Sequence, residues 1–378
     1  MRTNPAWIAR SGTGPVVSRR GFLAASAGMA ALAALPGRAL AGLGRRDDLP
    51  ATFFDLELAG GDLAHPVAGT TRRVRVLLGS PGTSSNSMVL VDEGGSLLVD
   101  VSTPGFGQRM AEDAALVGGP VGHQPQDERE PRDAIVVNTH HHFDHTGGNF
   151  ALGLAGPRPR VVMHATCDAR VRNDLERYRG AASSAMRSAQ AVEDPARRDQ
   201  AIASARALID RAPLLAADDF SATETFDAER HDINVGATLV QLHHFGPGHT
   251  DNDTVVLVPD DNVLHAGDLL FAGLHPYFAD DSGATAPGWI ESVARTIDLC
   301  DRDTVVVPGH GPVCGVDELR RQKEYLEQLW EAVSVEVRRG TPRGQVVEKT
   351  WPFMDGLGFE QIRPRAIGAV YDEVRAAG

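Results

Sequence analysis

Short apolar runs bounded by Gly, Asp, Asn or Pro recur along this chain and predict a fold built largely on strands. Arg73 to Leu78 alternates as a strand does. Met88-Val89-Leu90-Val91 and Ser96 to Val101 flank Asp92-Glu93-Gly94-Gly95, a hairpin with a Gly-containing turn. Both arms are almost continuously apolar, so their sheet is expected to be covered on both faces. Ala134 to Val137, Arg160 to Met163, Ala237 to Leu242 and Thr304 to Val307 read as further buried strands. Thr254 to Val258 and Val263 to Asp268 form a second hairpin around Pro259-Asp260-Asp261-Asn262.

Helical spacing is confined to fewer places. Gln108 to Val117 is one, ahead of a polar loop from Pro120 to Asp133. Leu319, Leu326, Leu329, Trp330, Val333 and Val337 form a stripe that stops at Gly340-Thr341-Pro342, and a last helix is expected within Gly358 to Ala377. An Ala- and Arg-rich helical stretch from 165 to about 218, broken at Pro195, exceeds an ordinary crossover and predicts an insertion. Such an insertion either walls a substrate pocket or serves structure alone.

The N-terminal 41 residues stand apart. Ser18-Arg19-Arg20-Gly21-Phe22-Leu23 precedes a small-residue apolar run from Ala24 to Leu35, and Ala39-Leu40-Ala41 offers a cleavage site. The segment resembles a twin-arginine signal, which implies the twin-arginine export machinery as a partner and a periplasmic or extracellular destination. The run is too short and too rich in Ala and Gly for a permanent membrane anchor across ~30 Å of bilayer. Residues 42–70 read as linker and edge structure, and 71–378 as one domain closed by C-terminal helices at about 317–378.

The formal net charge is −13, and the first 41 residues contribute five arginines (+5) and no acid or lysine, so the remainder carries −18. That acidity argues against a nucleic-acid partner. Cys167, Cys300 and Cys314 are too few and too scattered for a disulfide framework or a thiolate metal knot. Oligomeric state is not legible.

The chemistry concentrates in Asn138-Thr139-His140-His141-His142-Phe143-Asp144-His145-Thr146-Gly147-Gly148-Asn149, directly after a buried strand. Imidazole and carboxylate without thiolate suit Zn(II) or Fe(II). On an extended segment His140, His142 and Asp144 share a face, with His145 breaking the alternation at the turn into the glycines. One loop then feeds two neighbouring metal positions, His140 and His142 serving one and Asp144 and His145 the other. His164, alone at a strand end, lacks the convergence a site requires and reads as a core or surface residue.

His140-x-His142-x-Asp144-His145 resembles the signature of the metallo-β-lactamase superfamily. The resemblance implies an α/β fold, a four-layer αββα sandwich of two mixed β-sheets flanked by helices, with a metal centre at one edge. It requires a further His, an Asp and a last His at successive strand ends. His249 in Gly246-Pro247-Gly248-His249-Thr250-Asp251, Asp268 after Gly267, and His310 in Pro308-Gly309-His310-Gly311-Pro312 stand in those places. His140, His142 and His249 would hold one ion, Asp144, His145 and His310 a second, with Asp268 between them, and Asp100 would brace the loop. The likeness covers roughly Arg73 to Val313.

Two zinc ions, with iron or manganese as substitutes, would lower the pKa of water between them and supply a hydroxide nucleophile to the carbonyl of a small-molecule ester, lactone, thioester or amide. Asp144 would orient the nucleophile and pass a proton to the leaving group. An Asp at 268 resembles glyoxalase II and the acyl-homoserine lactonases more than the lactamases proper. Phe271, His275, Tyr277 and Phe278 are the candidate pocket wall, Tyr277 as an oxyanion donor. The competing reading is a non-haem iron oxidoreductase of the persulfide dioxygenase type, and a β-lactamase proper also stays open.

Overall fold

The computed structural model describes residues 55–57, 74–77, 85–102 apart from 93, 133–152, 158–180 and 212–378 apart from 280, with single positions at 190, 202, 206 and 209. The export segment, nearly all of the 42–70 linker, the Gln108–Val117 helix, and most of the insertion beyond 180 lie outside the described residues.

Seven strands form one sheet in sequential order: β1 (Asp55–Glu57), β2 (Val74–Leu77), β3 (Ser87–Val91), β4 (Gly95–Val99), β5 (Asp133–Val137), β6 (Arg160–His164) and β7 (Glu224–Phe226). The pairs from β1 to β4 are antiparallel, and those from β4 to β7 are parallel. The second sheet runs β8 (Arg230–Val235), β9 (Thr238–His243), β10 (Val255–Val258), β11 (Val263–Phe271), β12 (Val305–His310) and β13 (Cys314–Gly315), antiparallel except for the β11–β12 pair. Both sheets are therefore mixed.

The strand period of two explains the layers. In β4, Leu97 and Val99 face inward and, with Ile135 and Val137, meet Val240, Leu242, Val256, Val258 and Val307 of the other sheet. Leu98 between them points outward, joining Val136 and Val161 against Cys167 and Val171 of α3, Tyr178 and Phe220. Here α1 is Phe143–Thr146, α2 Asn149–Leu152 and α3 Ala165–Asn173. On the far face of the second sheet, Leu264, Leu270 and Val306 are covered by Trp289 and Val293 of α4 (Ala286–Asp298), Leu326 and Leu329 of α5 (Val316–Arg338), and Ile367 and Val370 of α7 (Arg363–Ala377), with α6 (Arg343–Val346) between the last two. Helix, sheet, sheet, helix is the four-layer sandwich that the motif implies. Among the described residues no helix is long and apolar enough to cross a membrane.

Several elements went unread in the sequence, β8, β7 and α4 among them. β8 carries Arg230, Asp232 and Asn234 on its exposed positions and half-buried His231 with buried Ile233 and Val235 on the other face, the habit of an edge strand blunted by charge. β7 is only three residues long. α4 announces itself by its start: Thr285 accepts the Gly288 N–H at 3.0 Å, and Pro287 occupies the first turn.

Candidate metal centre

The functional side chains gather where the strands of both sheets end on one edge. β4 ends at Asp100, β5 opens into the histidine loop, β9 leads to the Gly246–Asp253 loop, and β12 ends on His310. Two expectations about local geometry need correcting. β5 stops at Val137, the backbone bends over 139–141, and His142 sits at the N-terminus of α1, so Asp144 is delivered by a helical turn, together with His145, and not by strand alternation. Asp268 is not at a strand end: β11 continues to Phe271, and its register with β12 shifts between His265 and Gly267 and again between Gly267 and Phe271. Gly267 has φ +53°, and a Cβ there would sit 2.8 Å from that of Thr139, so the bulge that aims Asp268 requires glycine.

All seven candidate ligands come together. His140, His142, His249 and Asp268 form one group of donor atoms within 4.8 Å of one another, and Asp144, His145 and His310 form another. His142 Nδ1 lies 3.0 Å from His140 Nε2 and 2.9 Å from His249 Nε2. Asp268 spans the groups: Oδ2 is 3.4 Å from His249 Nε2 and 3.4 Å from His310 Nε2, and Oδ1 is 3.1 Å from His145 Nε2. Asp144 Oδ2 is 3.2 Å from His310 Nε2, and Asp144 is the partly open member, 31% exposed, so solvent reaches the cluster on its side.

This donor set fits a metal pair. Four-coordinate zinc at about 2.0–2.1 Å from each nitrogen places its ligands roughly 3.3 Å apart, close to the nitrogen separations found here. His145 Nε2 and Asp268 Oδ1 are buried without a hydrogen bond, facing into the cluster. Burial drives the His249 imidazole down to about 4, against the pull of Asp268, and lowers His140 and His142 well below their usual range, so all three are neutral and ready to ligate. The second group differs. Burial works against protonating His310, but Asp268 and Asp144 hold it up at about 9, and Asp268, Asp100 and Asp144 likewise raise His145. Burial opposes ionising Asp268, yet His310 and His145 take it well below the usual carboxylate range.

Asp100 braces the loop as the motif implies. It is fully buried with φ +59°; Oδ1 accepts the Thr139 N–H at 2.8 Å, and Oδ2 takes the Thr139 hydroxyl at 2.8 Å and stands 2.7 Å from His145 Nδ1. That contact keeps the His145 proton on Nδ1 and turns Nε2 to the cluster. Of the four pocket candidates, Phe271 stacks on His310 with centroids 5.2 Å apart, and Tyr277, half-buried, lies 6.4 Å from both the His142 and His249 rings. His275 and Phe278 are placed elsewhere. His275 Nδ1 is 2.8 Å from the Tyr325 hydroxyl, and Phe278 packs on Trp289 inside the helical layer, because both lie on the stretch that α5 and α4 cover. His164 stacks on His244 at 3.9 Å and caps α3, outside the ligand groups.

Several contributors escaped the sequence. Trp289 packs edge-on against His249 at 5.1 Å. Asn252 Oδ1 accepts the His141 N–H at 3.0 Å, and Tyr178 places its hydroxyl within hydrogen-bond reach of Thr146 Oγ1, 2.5 Å away. Thr139 and Asn252 flank motif residues and were open to suspicion on that ground; Tyr178 and Trp289 carried no local signal.

A family profile described as the metallo-beta-lactamase superfamily matches residues 80–310. Metallo-beta-lactamase type 2 of Bacteroides fragilis is 26% identical over 102 residues, which is 27% of this chain and 41% of that protein, so the match spans less than half of the relative's length. A solved metallo-beta-lactamase from Pontibacter korlensis superposes with 17% identity and a TM-score of 0.45, covering 69% of this chain and 97% of that one. The DIM-1 metallo-beta-lactamase does so with 16% identity and a TM-score of 0.47, covering 68% and 95%.

Proposed function

Because the chain belongs to the metallo-β-lactamase superfamily, we propose that it is a hydrolase dependent on two divalent ions, zinc first among them, that cleaves a small-molecule ester, lactone, thioester or amide. The observation that carries this reading is Asp268: one oxygen faces His145 and the other faces His249 and His310, so a single carboxylate serves both ligand groups. His140, His142 and His249 would hold one ion, and Asp144, His145 and His310 the other. Bound there, the pair supplies Lewis acidity toward a carbonyl and ionises water near neutral pH.

The remaining chemistry belongs to the chain. Burial works against charge on Asp144, but His145 and His310 keep its pKa below the ordinary value, so at neutral pH it is a proton acceptor. Its open side meets incoming water, and it then holds the proton that the leaving group needs. Phe271 packs against the His249 and His310 rings and keeps bulk water off them, and the Tyr277 ring lies beside those of His142 and His249. An Asp at 268 resembles the residue that glyoxalase II and the acyl-homoserine lactonases carry there, which supports ester-type substrates over β-lactams.

The test is metal content followed by turnover of nitrophenyl esters, lactones, S-lactoylglutathione and nitrocefin by the wild type and Asp144→Ala. About two zinc per chain, ester or lactone turnover above that of nitrocefin, and loss of activity in the variant are expected. A single redox-active iron, or equal rates in both proteins, refutes the proposal.

A further inference from the structure

We propose that Arg170, on the first helix of the insertion, is a positioning residue that clamps the His249 loop to the rest of the metal centre. Arg170 grips Asp251, two residues beyond His249, through both carboxylate oxygens: Nε donates to Oδ1 at 2.7 Å and Nη2 donates to Oδ2. Its Nη1 donates to the Asp281 carbonyl at 2.7 Å, and Asp251 N–H donates to the Ser282 carbonyl at 2.9 Å, so one guanidinium ties two segments together. Asp251 Oδ1 also accepts from Asn252 Nδ2 at 2.7 Å. That bond fixes the amide so that its oxygen meets the His141 N–H at 3.0 Å, while Nδ2 lies 3.0 Å from His141 Nδ1. The chain of bonds thus runs from α3 through the second ligand loop to the backbone between His140 and His142.

A second contact comes from the residue that caps the same helix, at the end of β6. His164, whose ring nitrogen accepts the Thr166 N–H at the start of α3, stacks on His244 at 3.9 Å, at the entry to the loop. The loop between these anchors turns at Gly246, whose φ of +98° favours glycine, and Gly248 packs against Leu269 and Asp253, so the Arg170 fork adds to the contacts that seat His249. A planar fork that spans both oxygens of a carboxylate does this better than a point charge. The insertion therefore acts here as a support for the ligands, whatever its remaining residues do.

The inference rests on the metal-centre reading, and the experiment separates the two. Zinc affinity by chelator competition and the visible spectrum of the cobalt-substituted protein are compared for wild type, Arg170→Ala, Arg170→Lys, Asp251→Asn and the double variant. Arg170→Ala and Asp251→Asn are each expected to weaken zinc about 10- to 100-fold and to alter the cobalt spectrum. The double variant should lose no more than the worse single one, and Arg170→Lys should recover part of the affinity. Wild-type affinity and spectrum in Arg170→Ala would overturn the clamp and leave the proposed function standing. If the wild type takes up no metal, the functional reading fails first. The clamp is then judged by amide exchange across 246–254: faster exchange in Arg170→Ala supports it, and unchanged exchange overturns it.

Discussion

Gly309 offers the sharpest test of how the ligands are held, because its hydrogen leaves the space that Asp268 occupies. A Cβ built at Gly309 would lie 1.9 Å from Asp268 Oδ1, 2.8 Å from the Gly267 carbonyl carbon and 2.9 Å from Asp268 N. Ordinary contacts need about 3.5 Å, so the carboxylate must retreat by roughly 1.5 Å and the β11 backbone by about 0.7 Å. Gly309 is not among the positive-φ glycines, so the effect of Gly309→Ala is steric and not conformational. Overpacking of this kind costs about 1–3 kcal/mol. Rotating Asp268 away relieves its own clash but carries Oδ1 off His145 Nε2, now 3.1 Å distant, and leaves the backbone clash in place. Gly309→Ala should therefore lower the urea midpoint of the metal-free protein and also weaken zinc binding, both read against Gly315→Ala, where a Cβ meets nothing within 4 Å. A Gly309→Ala protein with wild-type unfolding midpoint and two tightly bound zinc ions would refute the reasoning.

Three further outcomes follow from the same geometry. Asp100→Asn puts an amide donor opposite His145 Nδ1 or Thr139, which pushes the His145 proton to Nε2; zinc affinity should fall about 10- to 100-fold with little change in secondary structure by circular dichroism. Since His310 is held near 9 in the metal-free protein, chiefly by Asp268 against the cost of burial, its proton stabilises that protein fully below about pH 6.5 and is lost as pH rises through 9. Metal must displace the same proton, so calorimetric zinc affinity should climb between pH 6 and 9, and a flat profile would contradict the assignment. Zinc at a thousandfold excess over its dissociation constant should add about 4 kcal/mol per occupied site to the unfolding free energy, and a chelator should remove it.

Legibility differed between fold and site for physical reasons. Strands covered on both faces, such as Leu97-Leu98-Val99 and Val305-Val306-Val307, announce themselves as apolar runs. Edge strands do not: β8 spends half its positions on solvent and reads as polar loop. The two C-terminal helices were visible from their stripes, with α7 beginning at Arg363 after a short turn over Glu360–Ile362. α4 is marked in the sequence twice over, by an apolar stripe at Trp289, Ile290, Val293 and Ile297 and by Thr285 and Pro287 at its start.

Ligand identity was readable because few combinations of histidine and carboxylate at strand ends make chemical sense; ligand delivery was not. Asp268 reaches the centre because Gly267 permits a bulge and Gly309 vacates the opposite strand, a relation between residues 41 or 42 apart in sequence that no local pattern records. Asp100 stores a left-handed backbone costing about 1–3 kcal/mol, and its three bonds to Thr139 and His145 are what hold it there. Such strain is tolerable only if the surrounding contacts are all made at once. A centre assembled from two sheet edges is therefore set by the register of β4, β5, β11 and β12 together, and a substitution that shifts any one of them should loosen the metal before it unfolds the domain.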